Sequence, residues 1–449
     1  MLNRLIIKSK NIVSPSGVIE GFLHIENGKI IAIQKEQIAD FHSEIVDVNE
    51  NFILPGLIDP HVHINEPGRT QWEGFETATQ AAAATGITTI VDMPLNSSPV
   101  TTNKNNFQIK LAAAKNQLNV NVGFWGGVVP GNENEVEDLL KEGVLGLKAF
   151  LTHSGIDDFP NSGYDEIKNA LLILKKYDKP LLVHCELSED HSGINDHLNS
   201  PGNYLTYLKS RPKEWENKAI KMMIELCRET NARVHIVHLS SAEAIEMIAK
   251  AKAEGLPLTV ETAQHYLTIN AEDIPNSQTI YKCAPPIREK ENNDQLWKAL
   301  KSGVIDFVAT DHSPAPPELK EIVSGDLSKA WGGIAGLQFA LTTLWTEAKK
   351  RNCTEEDIAK WLSTNPATFL KLTHKGKLEA GADADFFIWD PNDTTMFSEK
   401  DILHRHKISP YANKIYLGKV LQTYLGGKLI YDGKKIVNSH LGTVLIEKN

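Results

Sequence analysis

The sequence predicts an α/β chain: a (β/α)8 TIM-type barrel with a smaller β-sandwich domain built from both termini. Three observations in its 449 residues predict this. Through the middle of the chain, apolar runs of four to seven residues alternate with helix-length amphipathic segments, the pattern of a parallel sheet with helical crossovers. At both ends, short β-branched runs are broken by turn residues. The length also exceeds what one hydrophobic core usually supports, so a large domain with a smaller companion is expected.

Taken in order, residues 3 to about 54 hold LIIKSKNIV, a Ser14-Pro15-Ser16-Gly17 break, GFLHIENGKIIAIQ with an Asn27-Gly28 hairpin signal, and EIVDVNENFILPG. These read as a small antiparallel sheet. The barrel strands follow as FILPGLIDPHV, ITTIVDMP, NVGFWGGVV, GVLGLKAFL, KPLLVHCE, VHIVHLSS, LTVETAQHY and VIDFVATDHS. Between them lie helices such as TATQAAAATG, ENEVEDLLKEG, YDEIKNALLILKKYD, ENKAIKMMIELCRETN, AEAIEMIAKAKAEG and EEDIAKWLSTN. The far end returns to strands, DADFFIWD, KVLQTYLGG and KLIYDGKKIV, with turns at Gly426-Gly427 and Asp432-Gly433. The expected division is residues 1–54 plus 375–449 as the composite β domain and 55–374 as the barrel. A doubly wound open sheet is the other arrangement for such a pattern, but no GxGxxG follows the first strand to support it.

Composition narrows the function. With 41% hydrophobic and 23% charged residues this is ordinary globular chemistry, and a net charge of -10 without a Lys/Arg block argues against nucleic-acid and membrane-surface partners. Cys185, Cys227, Cys283 and Cys353 are scattered without a CxxC spacing, as buried thiols in a reducing compartment would be. MLNRLIIKSKNIVSPSG lacks the apolar core of a signal peptide, and no run approaches the ~18 apolar residues of a membrane span. A cytoplasmic location is expected.

The chemistry sits where the apolar runs end. His61 and His63 close the first barrel strand, Lys148 lies in the fourth, His184 and His238 end the fifth and sixth, and Asp311 ends the eighth. In a (β/α)8 barrel those carboxyl ends converge on one face, where active sites form. Two histidines two residues apart on a strand project to the same side and can grip one ion. A lone histidine on an apolar strand is more often a satisfied core residue, and a lone lysine more often reaches out to solvent. Six such residues gathered on five strands are a different matter. His61, His63, His184, His238 and Asp311 offer more nitrogen and oxygen ligands than one catalytic zinc takes from protein, so two divalent ions are expected. Lys148 can bridge them only as a carbamate, an anion with two oxygens, and its apolar strand favours the neutral amine that must react. Zinc suits these ligands first, with cobalt, manganese and iron as alternatives that a ligand set alone does not separate. Asp59, just before the pair, reads as a carboxylate orienting a ligand histidine.

The HxH motif, the mid-chain lysine, the two further strand-end histidines and the TDHSP segment resemble the amidohydrolase superfamily, in its branch of cyclic amidases. Longer stretches, DPHVHINEPGRTQWEGFETAT, TTIVDMPLNSSPVTT, LTVETAQHYL, YKCAPPIRE, ATDHSPAPPELK, AWGGIAGLQ and HRHKISPY, are similar to the allantoinases of that branch and extend over most of the chain. The resemblance implies a barrel with a flanking β-sandwich and two divalent ions bridged by N6-carboxylysine at Lys148. It places the metal ligands on the same six residues, and relatives in the family are commonly tetramers. It further implies hydrolysis of the hydantoin ring of allantoin to allantoate, in ureide breakdown, by water activated between the ions. Asp311 would then be the catalytic proton carrier. Where dihydroorotases carry an arginine two residues after the second histidine, this chain has Asn65, which offers no charge to a substrate carboxylate. A neutral ring therefore fits better. Asn65, Asn96, Ser313 and Pro285 are the candidate substrate contacts; for Asn96, capping a loop turn is an equal alternative. Dihydroorotase, hydantoinase or dihydropyrimidinase activity, and a non-catalytic relative on the same barrel, are the competing readings.

Overall fold

A computed structural model describes residues 4–38 and 43–446. Residues 1–3 and 447–449, included in the expected composite domain, lie outside the described residues, as do 39–42.

Eight parallel strands form the barrel: Leu57–Val62, Ile87–Asp92, Asn121–Phe124 continued by Gly126–Gly127, Leu147–Phe150, Leu181–His184, Val234–Ile236, Leu258–Ala263 and Phe307–Ala309. Neighbours pair in that order from the first to the eighth. The ring closes where Val62 bridges His312 and His63 N donates to His312 O at 2.8 Å. Nearly every strand residue is buried, because helices cover the outside while side chains fill the inside. That double burial is why the strands read as continuous apolar runs.

The two ends of the chain meet in one sheet. Phe52–Pro55 pairs with Arg4–Ser14 on one side and with Phe386–Met396 on the other. The strip continues through Gly17–Glu26 and Lys29–Gln34 at one edge, and through Ile415–Leu425 and Lys428–Tyr431 at the other. Its hairpins turn at Asn27-Gly28 (φ 50° and 80°) and at Gly426-Gly427 (φ 53° and 71°), left-handed pairs suited to the twist of flanking strands. Both tips bond to Ala384, whose N donates to Gly28 O and whose O accepts from Gly427 N, each at 2.8 Å, and the sheet packs on a core of Ile7, Leu23, Ile25, Ile53, Phe386 and Ile388. The two layers of the sandwich are thus halves of one continuous sheet. The chain then returns to the barrel, where Val444–Leu445 adds beside Val122 and Gly123 of the third strand.

Lys29 and Lys375 both pair with Asp383, at 2.6 and 2.9 Å, tying the first hairpin to the C-terminal segment. Burial works against ionisation of Asp383, yet the Lys29 hydrogen bond and the charge of Lys375 outweigh it and hold its carboxyl below the usual value. A depressed carboxyl stabilises the fold above its unfolded-state pKa and loses that contribution as pH falls through the folded value. Asp383→Asn is therefore expected to cost on the order of 1 kcal/mol at pH 7, allowing for solvent screening. The gap between variant and parent should narrow in urea titrations well below pH 4; a gap independent of pH would refute the assignment.

One expected helix departs from its reading. EEDIAKWLSTN begins as an α-helix, Glu355–Ala359, widens into a π turn at Lys360–Thr364, and resumes as Asn365–Phe369. Pro366 is the cause: it lacks an N–H and its ring crowds the carbonyl four residues back, so the turn before it opens. Among the described residues no helix is long and apolar enough to cross a membrane.

Candidate active site

Two buried aspartates set the HxH segment in place. Asp59 Oδ1 accepts from His61 N at 3.1 Å and from Thr310 N at 3.3 Å, so it joins the first strand to the eighth just before Asp311. The reading of Asp59 as an orienting carboxylate agrees with this geometry. On the other side Asp92 accepts from Ile64 N at 2.7 Å and pairs with the buried Lys110 at 2.5 Å. The imidazoles of His61 and His63 are thereby presented to Asp311, whose Oδ1 lies 3.2 and 3.4 Å from their Nε2 atoms. Ligand atoms of these three residues all fall within 4.8 Å of one another, a cluster able to hold a metal ion.

His184 and His238 make a second pair: Nδ1 of the first lies 3.0 Å from Nε2 of the second. The His238 ring is 5.4 Å from that of His61, centroid to centroid, so the two groups adjoin. His238 (φ 39°) and Asp311 (φ 47°) both take left-handed backbone, which histidine and aspartate adopt more readily than most residues and which is frequent at functional sites. Lys148 is fully buried and lines the same cavity; among the described residues its Nζ has no hydrogen-bond partner. Burial lowers its amine to about 8, against the pull of Glu261 and Asp311. Burial likewise lowers His63 to about 4 and pushes His184 and His238 down. Neutral imidazoles keep a lone pair for a metal.

Two carboxylates absent from the sequence reading orient these ligands. Glu261 accepts from Nδ1 of His61 through one oxygen and lies 3.1 Å from His235 Nε2 through the other, and His235 reaches Thr259 at 2.8 Å. Glu186 takes Nε2 of His184 at 2.7 Å and is clamped by Arg211. Each contact leaves one defined nitrogen for coordination, Nε2 of His61 and Nδ1 of His184. Burial opposes ionisation of both acids, but His61 with His235, and Arg211 with His184, outweigh it and lower each to about 2. Glu261→Gln is expected to weaken metal binding about 10- to 100-fold with the fold intact. Competition with a chelator reads this directly; unchanged retention would show that Glu261 does not orient His61.

The ligands open onto a cavity of about 500 Å³. Asn96 and Ser313, two of the candidate substrate contacts, line it. An imidazole that offers Nε2 to a metal carries its proton on Nδ1, and the Asn96 carboxamide, 3.4 Å from Nδ1 of His63, supplies the acceptor once its oxygen is turned toward the ring. Asn65 and Pro285 lie behind the wall instead. The chain turns inward after His63, Asn65 O accepting from Arg69 N at 3.0 Å, which leaves the Asn65 carboxamide fully buried and without partner among the described residues. Pro285 is held by Tyr266, whose hydroxyl donates to its carbonyl at 2.7 Å, and Ala284 lines the cavity in its place. Gly332 and Gly333 also line it, and a side chain on Gly333 would collide with Ser313 O at 2.4 Å.

A barrel that gathers histidines and a carboxylate at the ends of its strands has the ligand set of a metal-dependent hydrolase. Comparison with known proteins bears on the family: the amidohydrolase family profile matches residues 52–430, and the allantoinase composite-domain profile matches residues 2–50. The chain is 43% identical to an allantoinase of Arabidopsis thaliana over 98% of its own length and 90% of the relative's. Identity to an allantoinase of Streptomyces avermitilis is 42%, covering 96% of each chain. In structure it is similar to an L-hydantoinase (dihydropyrimidinase) from Arthrobacter aurescens, with TM-score 0.93, 28% identity and all of both chains covered. The chain belongs to the amidohydrolase family, among its allantoinases.

Proposed function

We infer that this chain hydrolyses the hydantoin ring of allantoin to allantoate. The observation that carries the reading is the near full-length match to allantoinases across kingdoms, joined to a ligand set that faces a single cavity. His61, His63, His184, His238 and Asp311 would hold two divalent ions, with zinc as the first choice, and Lys148 as N6-carboxylysine would join them. A buried amine without an acceptor, ringed by imidazoles, supports that chemistry: carbamylation turns an unpaired cation into an anion among metal ligands. Bound there, the ions supply Lewis-acid polarisation of the amide carbonyl and activation of water.

The protein's own groups do the rest. Asp311, ionised across neutral pH and facing the cavity, accepts the proton of the attacking water and passes it to the ring nitrogen as the C–N bond breaks. Asn96 and Ser313 contact the ring from the wall. Residues 1–54 and 375–449, apart from Val444–Leu445 which joins the barrel sheet, act as one supporting domain beside a 55–374 barrel, in a cytoplasmic homotetramer. The test is turnover by the metal-loaded protein of allantoin beside dihydroorotate, dihydrouracil and hydantoin. Allantoin should be the best substrate; faster turnover of any other would reject the reading.

A further inference from the structure

The cavity wall carries a cation that catalysis does not use. Among the lysines and arginines lining the cavity, Lys148 belongs to the ligand set, Arg211 is committed to Glu186 through both arms of its guanidinium, and Lys329 is exposed and paired with Asp326 at 3.3 Å. Lys282 differs from all three. Its Nζ donates to Ala330 O at 2.6 Å and lies 5.5 Å from the centre of the Tyr207 ring. Among the described residues no carboxylate comes within ion-pairing distance of it.

An ammonium has three donors, and the one hydrogen bond to Ala330 O leaves donors to spare on a cavity wall that Trp331 also lines. Burial and the nearby Arg211 lower its amine to about 8, so the site gains from an acceptor that arrives with a ligand. The ligand inferred above has one to offer. In allantoin the ring amide is the reacting part, and the ureido arm on the ring carbon projects away from it with a carbonyl oxygen free to accept. We propose that Lys282 is a specificity-determining residue that hydrogen-bonds the ureido arm of the substrate, so that the enzyme separates ureido-substituted from unsubstituted hydantoins. The proposal rests on allantoin being the substrate. It follows the rule that a site built to satisfy a polar group discriminates against an analogue lacking it, because the site's own donor is then left unpaired.

The experiment compares allantoin with hydantoin, which has the same ring without the arm. Wild-type enzyme, Lys282→Met and Lys282→Arg are assayed for allantoin hydrolysis, and hydantoin binding is measured by calorimetry on the metal-loaded proteins. Lys282→Met should lower kcat/KM for allantoin roughly 10- to 100-fold, the range for a hydrogen bond to a charged donor. It should change the hydantoin Kd less than about twofold, and Lys282→Arg should recover part of the loss. If Lys282→Met does not fold, Lys282→Gln carries the same comparison. Allantoin efficiency kept within about threefold, well inside the loss expected for a charged hydrogen bond, or equal losses for both compounds, would overturn the lysine's role alone. A wild-type enzyme inactive on allantoin would instead overturn the functional reading beneath it.

Discussion

Lys148→Met is expected to abolish allantoin hydrolysis and to reduce bound metal from two ions per chain to one or fewer, while leaving the barrel folded. The side chain is fully buried, lines the ligand cavity and has no hydrogen-bond partner among the described residues, so no hydrogen bond of the fold depends on its amine. Methionine keeps the apolar stem and removes an unpaired buried cation, which leaves thermal stability equal or slightly higher. What is lost is the only side chain that can become a bridging anion at that position. The rate should fall by about a thousandfold or more, the scale on which preorganised electrostatic stabilisation acts. Elemental analysis with circular dichroism and a melting curve separates the outcomes. Two ions retained with activity within tenfold of the parent would remove Lys148 from the metal site.

Much of this arrangement was readable from the chain, for a physical reason. Barrel strands are buried on both faces, so they stand out as apolar runs, and a polar residue at the end of such a run is conspicuous. His184 after LLV and Asp311 after FVAT are examples. Glu261 and Glu186 do not stand out in the sequence because their neighbours are already polar: Glu261 sits inside TVETA, and Glu186 follows a histidine and a cysteine. A signal existed for Glu261, since a carboxylate within a fully buried strand needs a partner, and His235, itself mid-strand, was the one waiting. The helices Lys104–Ala114, Lys290–Ser302 and Ala340–Lys350 are further elements beyond those the sequence predicts. In the first, asparagines and lysines dilute the apolar stripe, so packing rather than periodicity holds it. Asn65 shows the opposite limit. Its chemistry was informative about which residue type stands two places after His63, but the turn that buries it depends on Glu73 and Arg69, contacts no local pattern displays.

Asp311→Asn separates holding a metal from moving a proton. Asparagine preserves the shape of the side chain and one oxygen for coordination, but it cannot take up a proton. Burial alone would raise the Asp311 carboxyl; His61, His63 and His238 outweigh it and hold the group well below the usual carboxylate range. It is therefore a free base at neutral pH, set by Oδ1 against the two imidazoles of the HxH motif. If its chief task is to carry a proton from water to the leaving nitrogen, the variant should lose about 10²- to 10⁴-fold in kcat with KM nearly unchanged. Metal content measured at saturating metal should stay near the parent value. The contrast with Glu261→Gln is the decisive control, because among the described residues the Glu261 carboxylate bonds only His61, His235 and the N–H of His238. Its loss should be recovered by added metal, whereas the loss in Asp311→Asn should not. Recovery of Asp311→Asn to parental kcat at high metal concentration would make Asp311 a ligand and no more, and another group on the cavity wall would then have to carry the proton.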